Sequence, residues 1–350
     1  MIVTLTANPS LDRTVELGAP LARGDVQRAL TSHQEPGGKG VNVSRAVQAS
    51  GLDTVAVLPG DDDDALVVAV RALGIEVANV PVGSPLRSNL TLTEPDGTTT
   101  KINEPGPRLS AEARAELVAL VAGHAASARW LVLAGSVPPG AGDDFYVDVL
   151  SAVDAAPTRP FVAVDGSGAP FEALVSSGHR IDLIKPNAAE LAEVTGEGDE
   201  DSFEADPAFA VAAAARLIES SSQAPSRDGH VHTPGFSPDG TPRCDDHGGV
   251  RAVLCTLGSR GAVLVTRDGA WFAPAPRIVA RSTVGAGDSS LAGFLYALTN
   301  GASAPDALAQ AVAHGAAAAS LPGSTVPSPE QTHPGDIVVS PIPRIAAGLQ

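Results

Sequence analysis

Toward the C-terminal end of this 350-residue chain, Asp288 follows Gly285-Ala286-Gly287 at the head of an apolar stretch that runs on through Leu298. The N–H groups in the first turn of a helix have no intrahelical acceptor. Gly285, Ala286 and Gly287 would therefore form an anion hole at the positive end of the helix dipole. Asp288 would lie within reach of whatever sits there, able to take a proton from an attacking hydroxyl. Taken alone, the string also fits a tight turn with Asp288 as its N-cap.

Four other constellations bear on that choice. Residues 35–46 read EPGGKGVNVSRA. A phosphate-binding P-loop is excluded, because Lys39 is followed by Gly40 and His33 stands where the first glycine belongs. What remains is a glycine cluster entering a helix, open to close approach by a ligand and carrying one ammonium, or a plain helix-entry turn with an exposed lysine. In ANPSLDRTV, Asp12 follows the first strand by a few residues. It could accept hydrogen bonds from ligand hydroxyls, though the same residues occupy empty loops. In LIKPNAAEL, Asn187 and Glu190 suit a capping box with Lys185 at the strand end. The same residues could set a cation near phosphates and a carboxylate near a metal-bound water. CTLGSRGAVLV, residues 255–265, is strand, turn and strand: a backbone passing over a nucleotide, or an ordinary hairpin.

The elements that must position these groups alternate. IVTLT, TVAVL, WLVLA, FVAVD and DLIKP read as strands. Helical patterns cover about residues 41–50, 65–73, 144–153, a short run before Gly178, and 188–194. Strands apolar on both faces, separated by helices, predict a doubly wound, mostly parallel α/β sheet in a single domain spanning residues 1–350. Residues of about 12–35 and 84–105 break the rhythm as extended, hairpin-like strands. They predict a small β-sheet outside the main layer, placed as a lid over the carboxyl ends of the strands. Residues 220–249, rich in Pro, Gly, Ser and Asp, read as a flexible surface insertion. The insertion holds His230, His232, Cys244 and His247, whose spacing matches no common closed zinc site.

Composition narrows the function classes. A formal net charge of −17 disfavours nucleic acid and anionic membranes as partners, and an aromatic content of 3% disfavours stacking on single strands. Small phosphorylated ligands remain open, since they need only a few well-placed donors. Two cysteines make no disulfide framework, and the opening MIVTLTANPS has no signal-peptide pattern, so a cytoplasmic location is expected. No apolar run reaches the roughly 18 residues of a membrane span. No G-x-G-x-x-G follows the first strand, which argues against a dinucleotide oxidoreductase.

With these motifs in order, the chain resembles the carbohydrate kinase PfkB family, the ribokinase-like sugar kinases. The resemblance covers nearly the whole chain except the insertion. It rests on PGGKGVNVSRA, GSVPPG, VDGSG, KPNAAEL, TLGSRG and STVGAGDSSLAGF. TANPSLDRTV, the lysine of PGGKG, LRSN and KINEPGP are similar to the branch acting on fructose 1-phosphate and to tagatose-6-phosphate kinases. PGDDDDA departs from the family's glycine-rich turn after the third strand, and the insertion has no counterpart in the typical pattern.

The resemblance implies transfer of the ATP γ-phosphoryl to the C6 hydroxyl of fructose 1-phosphate. Asp288 would be the general base, ionised without tuning, and Gly285 to Gly287 would hold the developing charge. It implies Asp12, Gly38 and Asn42 at the sugar. Lys39 and Arg87 would bind the phosphate it carries, with Asn103 and Ser136 assisting. Lys185, Asn187, Thr256, Gly258 and Gly261 would line the ATP site, and Glu190 would serve Mg²⁺ through water. It also implies a homodimer made through the lid. Kinases for tagatose 6-phosphate or fructose 6-phosphate are the near alternatives. A non-catalytic sugar-phosphate sensor is the alternative from another class.

Overall fold

The segments IVTLT, TVAVLP and WLVLA have no polar face to turn to water, and each is buried along its whole length. The computed structural model describes residues 1–221 and 248–343. The chain begins β1 (Ile2–Thr6), β2 (Ser10–Leu17), β3 (Ala29–Gly37), α1 (Lys39–Ala49), β4 (Thr54–Pro59), α2 (Ala65–Ala72), β5 (Glu76–Val80), β6 (Arg87–Thr93) and β7 (Thr99–Asn103). It continues α3 (Ala111–Ala125), β8 (Trp130–Ala134), α4 (Phe145–Asp154), β9 (Phe161–Asp165), α5 (Gly168–Ser176), β10 (Arg180–Ile181), β11 (Leu183–Ile184), α6 (Ala188–Thr195), α7 (Glu200–Ala205) and α8 (Pro207–Ser221). The last part is β12 (Gly249–Val250), β13 (Ala252–Thr256), β14 (Gly261–Thr266), β15 (Ala270–Pro274), α9 (Ala286–Thr299), α10 (Ala304–Ala319) and β16 (Ser340–Pro341).

The main sheet has ten strands in the order β16-β15-β14-β13-β11-β9-β8-β1-β4-β5. From β13 to β5 every pairing is parallel, and β14, β15 and β16 extend one edge antiparallel. Side chains alternate across the sheet. Ile2, Trp130 and Val132 face one cluster with α1, α9 and α10, while Val3, Leu131 and Leu133 face the other with α3, α4 and α8. Both faces are covered, which is the doubly wound arrangement expected of strands without a polar side. Sequence reasoning did not name α3, α7, α8, α10, β15 or β16; the antiparallel β13–β14 pair is the hairpin it offered for residues 255–265.

The segments outside that rhythm form a separate four-stranded sheet, β3-β2-β6-β7. Its two hairpins are antiparallel, and they join through a parallel β2–β6 pair that sets Ser10 against Arg87 and Asp12 against Asn89. Asp12 therefore lies on a strand of this sheet and not in a loop after β1. The histidines and Cys244 weighed for zinc lie outside the described residues, as does residue range 222–247 of the expected insertion. Among the described residues, no helix is long and apolar enough to cross a membrane.

Candidate active site

Helix α9 begins where the sequence placed it. Gly285 is its N-cap at φ 75°, a left-handed conformation that a β-carbon would strain. Of the three residues expected to form an anion hole, Ala286 turns its N–H toward Thr283 O at 3.4 Å. Gly287 keeps the open position: the nearest atom a β-carbon there would meet is Lys185 Nζ, at 3.4 Å. Asp288 sits in this first turn, 7% exposed, and its Oδ2 accepts a 2.8 Å hydrogen bond from Asn42 Nδ2 on α1. Burial pushes its carboxyl up to about 6, with the Asp165 charge adding to the effect and Asn42, Lys185 and Lys39 opposing it. The expectation of an untuned carboxylate is corrected by this burial.

Asp165, the last residue of β9, is the centre of the charged groups and is fully buried. Lys39 Nζ lies 2.7 Å from Asp165 Oδ1 and 3.0 Å from Glu190 Oε1. Lys185 Nζ lies 3.0 Å from Asp165 Oδ2. Burial disfavours the Lys39 ammonium, yet the two carboxylates outweigh it and raise its pKa. Burial likewise opposes the Asp165 charge, and Lys185 and Lys39 overcome it and hold the carboxyl low. Lys39 was expected with Arg87 on the sugar's phosphate; its ammonium lies between Asp165 and Glu190. Asp165 itself was missed. Its signal lay in VDGSG, since an aspartate closing a parallel strand stands on the edge where such sheets bind ligands.

On the small-sheet side, Asp12 accepts 2.7 Å and 3.0 Å hydrogen bonds from Ser10 and Asn89, and burial raises its pKa against them. Arg87 donates to Asn8 O at 3.2 Å and to Glu104 O at 3.1 Å. Asn8 Nδ2 in turn donates to Pro105 O at 3.1 Å and Ser136 Oγ at 3.4 Å, so one asparagine ties Ser136 to Arg87. Asn8 and Asn89, which sequence reasoning left out, each keep a buried amide oxygen without a partner. Asn103 stands exposed at the end of β7, across from Asn89, and it is Asn89 that reaches Asp12. Gly38 is the N-cap of α1 at φ 104°, packed toward Thr6 and Pro9, which fixes the angle at which Lys39 and Asn42 leave the turn.

The third group lies around α6 and the turn between β13 and β14. Asn187 and Glu190 form a full capping box on α6, with bonds of 2.8 Å and 2.9 Å. Asn187 bridges to Thr256, whose N–H donates to Pro186 O at 3.1 Å. The turn glycines answer to internal packing: a β-carbon at Gly258 would stand 2.4 Å from Glu204, and one at Gly261 would stand 2.0 Å from Ala273 O. The turn is thus held against α7 and β15.

Residues 6–224 and 241–331 match the family described as pfkB family carbohydrate kinase. A 1-phosphofructokinase of Haloferax volcanii is 32% identical over 332 residues, 94% of each chain. The ATP-dependent 6-phosphofructokinase isozyme 2 of Escherichia coli is 29% identical over 339 residues, 95% of this chain and 96% of its own. The crystal structure of phosphofructokinase-2 from Escherichia coli in complex with potassium superposes with a TM-score of 0.78 at 26% identity, covering 94% of this chain and 96% of that one. A family match over most of the chain meets a buried carboxylate at a helix N-terminus: this phosphotransferase belongs to the pfkB family of carbohydrate kinases.

Proposed function

We propose that the protein transfers the γ-phosphoryl group of ATP to the C6 hydroxyl of fructose 1-phosphate, giving fructose 1,6-bisphosphate and ADP. The observation that carries this is Asp288, a buried carboxylate in the first turn of α9, held by Asn42 with Lys185 beside Gly287. Its Oδ atoms would take the hydroxyl proton as the oxygen attacks phosphorus, and the Gly287 N–H would face the charge that develops. Asp12, Asn89 and Asn42 would orient the sugar, and Arg87 with Ser136 would hold its existing phosphate. Lys185, Asn187, Thr256, Gly258 and Gly261 would border the ATP. Lys39, clamped on the Asp165 side, would face the transferred group and not the sugar's own phosphate.

Among the described residues no cluster of three or more carboxylate, His or Cys side chains could hold a metal by itself. Glu190, whose Oε1 meets Lys39 and whose Oε2 accepts from the Asn187 N–H, would reach through water an Mg²⁺ carried by the nucleotide phosphates. Bound there, the ion neutralises phosphate charge. The small sheet serves as the lid and, by its exposed Leu30 and Ile102, as the contact of a homodimer. A cytoplasmic location accompanies this reading.

Fructose 1-phosphate is favoured because relatives named 1-phosphofructokinase match over nearly the whole chain. Fructose 6-phosphate is a second reading, since relatives named 6-phosphofructokinase isozyme 2 match almost as well. Comparing kcat/KM with ATP and Mg²⁺ for fructose 1-phosphate, fructose 6-phosphate and tagatose 6-phosphate separates them. Equal or greater efficiency on either 6-phosphate overturns the assignment.

A further inference from the structure

Asn42 and Arg45 are three residues apart on α1 and so share one face of the helix. An asparagine amide can present either its oxygen or its nitrogen to a neighbour. Here the two ends are assigned by opposite partners: Nδ2 donates to Asp288 Oδ2 at 2.8 Å, and Oδ1 accepts from Arg45 Nη1 at 3.4 Å. Arg45 is itself anchored, donating to Pro36 O and to Ser324 Oγ at 3.2 Å each. Ser324 is closed from the far side by Glu35, which accepts from its hydroxyl and from its N–H. The guanidinium thus stands where β3, α1 and the loop after α10 meet.

We propose that Arg45 is a positioning residue for the phosphoryl-transfer step, acting through Asn42 to keep the amide nitrogen, and not the amide oxygen, against Asp288. The inference rests on the assignment of Asp288 as the base. Its physical content is an orientation. Without a cation at its oxygen end, the amide can turn and offer Oδ1 to Asp288, an arrangement that only the protonated carboxylic acid can satisfy. Loss of Arg45 therefore favours the protonated, inactive base. The charged groups facing Asp288 are Lys39 from α1, Asp165 from β9 and Lys185 after β11; those facing Arg45 are Glu35 from β3 and Asp12 from β2.

The test is the pH profile of kcat/KM for Arg45→Met, Arg45→Lys, Asn42→Ala and the Arg45→Met/Asn42→Ala pair. Arg45→Met moves the acid limb upward by about 0.5 to 1 pH unit. Arg45→Lys returns it toward the parent, and Arg45→Met adds no further shift once Asn42 is Ala. If Arg45→Met does not fold, Arg45→Leu, which also removes every donor from that position, shifts the limb in the same direction. A parental limb in a folded Met or Leu variant overturns the proposal. So does an equal shift without Asn42, which would mean that Arg45 acts only through its field. If Asp288→Asn retains parental turnover, the kinase mechanism itself falls. If Asp288→Asn is inactive while the Arg45 variants keep the parental limb, only this inference falls.

Discussion

At Asp288 the chemistry and the stability of the chain pull in opposite directions. The carboxylate is buried, so its charged form, the one a base needs, is the form the interior disfavours. Its folded pKa, about 6, is above the ordinary carboxylate value, so its stabilising contribution is full below the unfolded pKa and is lost as pH rises through 6. Asp288→Asn removes that loss and keeps an acceptor for Asn42. We expect kcat to fall by about 10²- to 10⁴-fold with sugar-phosphate binding retained. We also expect the Tm advantage of the variant over the parent to be larger at pH 7.5 than at pH 4.5. A variant less stable than the parent at pH 7.5 contradicts the sign. For the parent, the acid limb of kcat/KM should fall near pH 6 and not near the ordinary carboxylate value. Asp165→Asn provides the complement. It removes a charge that raises Asp288, so the limb moves down. It also strips the shared partner of Lys39 and Lys185, costing about 3 kcal/mol or more in chemical denaturation. An unchanged limb would mean the two carboxylates do not interact.

Two glycines in motifs that look alike meet different surroundings at the scale of the elements. At Gly40, inside α1, a β-carbon would stand 2.4 Å from Thr6 Oγ1 and 2.9 Å from Leu5 O, the backbone of a buried strand. Gly40→Ala should cost about 1 to 3 kcal/mol of stability as α1 is pushed off β1. At Gly287, in α9, the one atom outside the helix's own turn that a β-carbon would meet among the described residues is Lys185 Nζ, at 3.4 Å. Gly287→Ala should keep or raise stability, because alanine is the better helix former by about 1 kcal/mol. It should lower kcat, because its methyl stands where phosphate oxygens must approach. Full activity in a stable Gly287→Ala enzyme would remove the anion hole from the mechanism. The contrast also shows what the sequence could convey. The boundaries of α9, α6 and the interior strands were legible because caps and apolar runs are local signals. The direction of Lys39 was not: α1 starts at Lys39 itself, two residues before the expected position, and its ammonium is drawn to carboxylates on β9 and α6 that are distant in sequence. Asn89 was hidden likewise, since only the parallel pairing of β2 with β6 sets it against Asp12.

At the scale of the whole molecule, the groups proposed for the sugar phosphate come from both sheets. Asp12, Arg87 and Asn89 belong to the small sheet, while Asn42 and Ser136 come from α1 and the segment after β8. The groups proposed for ATP lie after β11, on α6, at the end of β13 and at the head of α9, all around the main sheet. The small sheet has strands that are mostly half-buried or exposed, and it packs on the body chiefly through α2 and α1. Such elements open at low free-energy cost, and a ligand held by both sheets links them. Hydrogen–deuterium exchange should therefore separate the two substrates. Fructose 1-phosphate alone should slow exchange in β2, β3, β6 and β7, whereas ATP with Mg²⁺ alone should protect the segment around Thr256 to Gly261 and the first turn of α9. Equal protection of the small sheet by the nucleotide alone would place its closure under ATP. Unchanged exchange there with saturating fructose 1-phosphate would remove that sheet from the sugar site, and with it the roles given to Asp12 and Arg87.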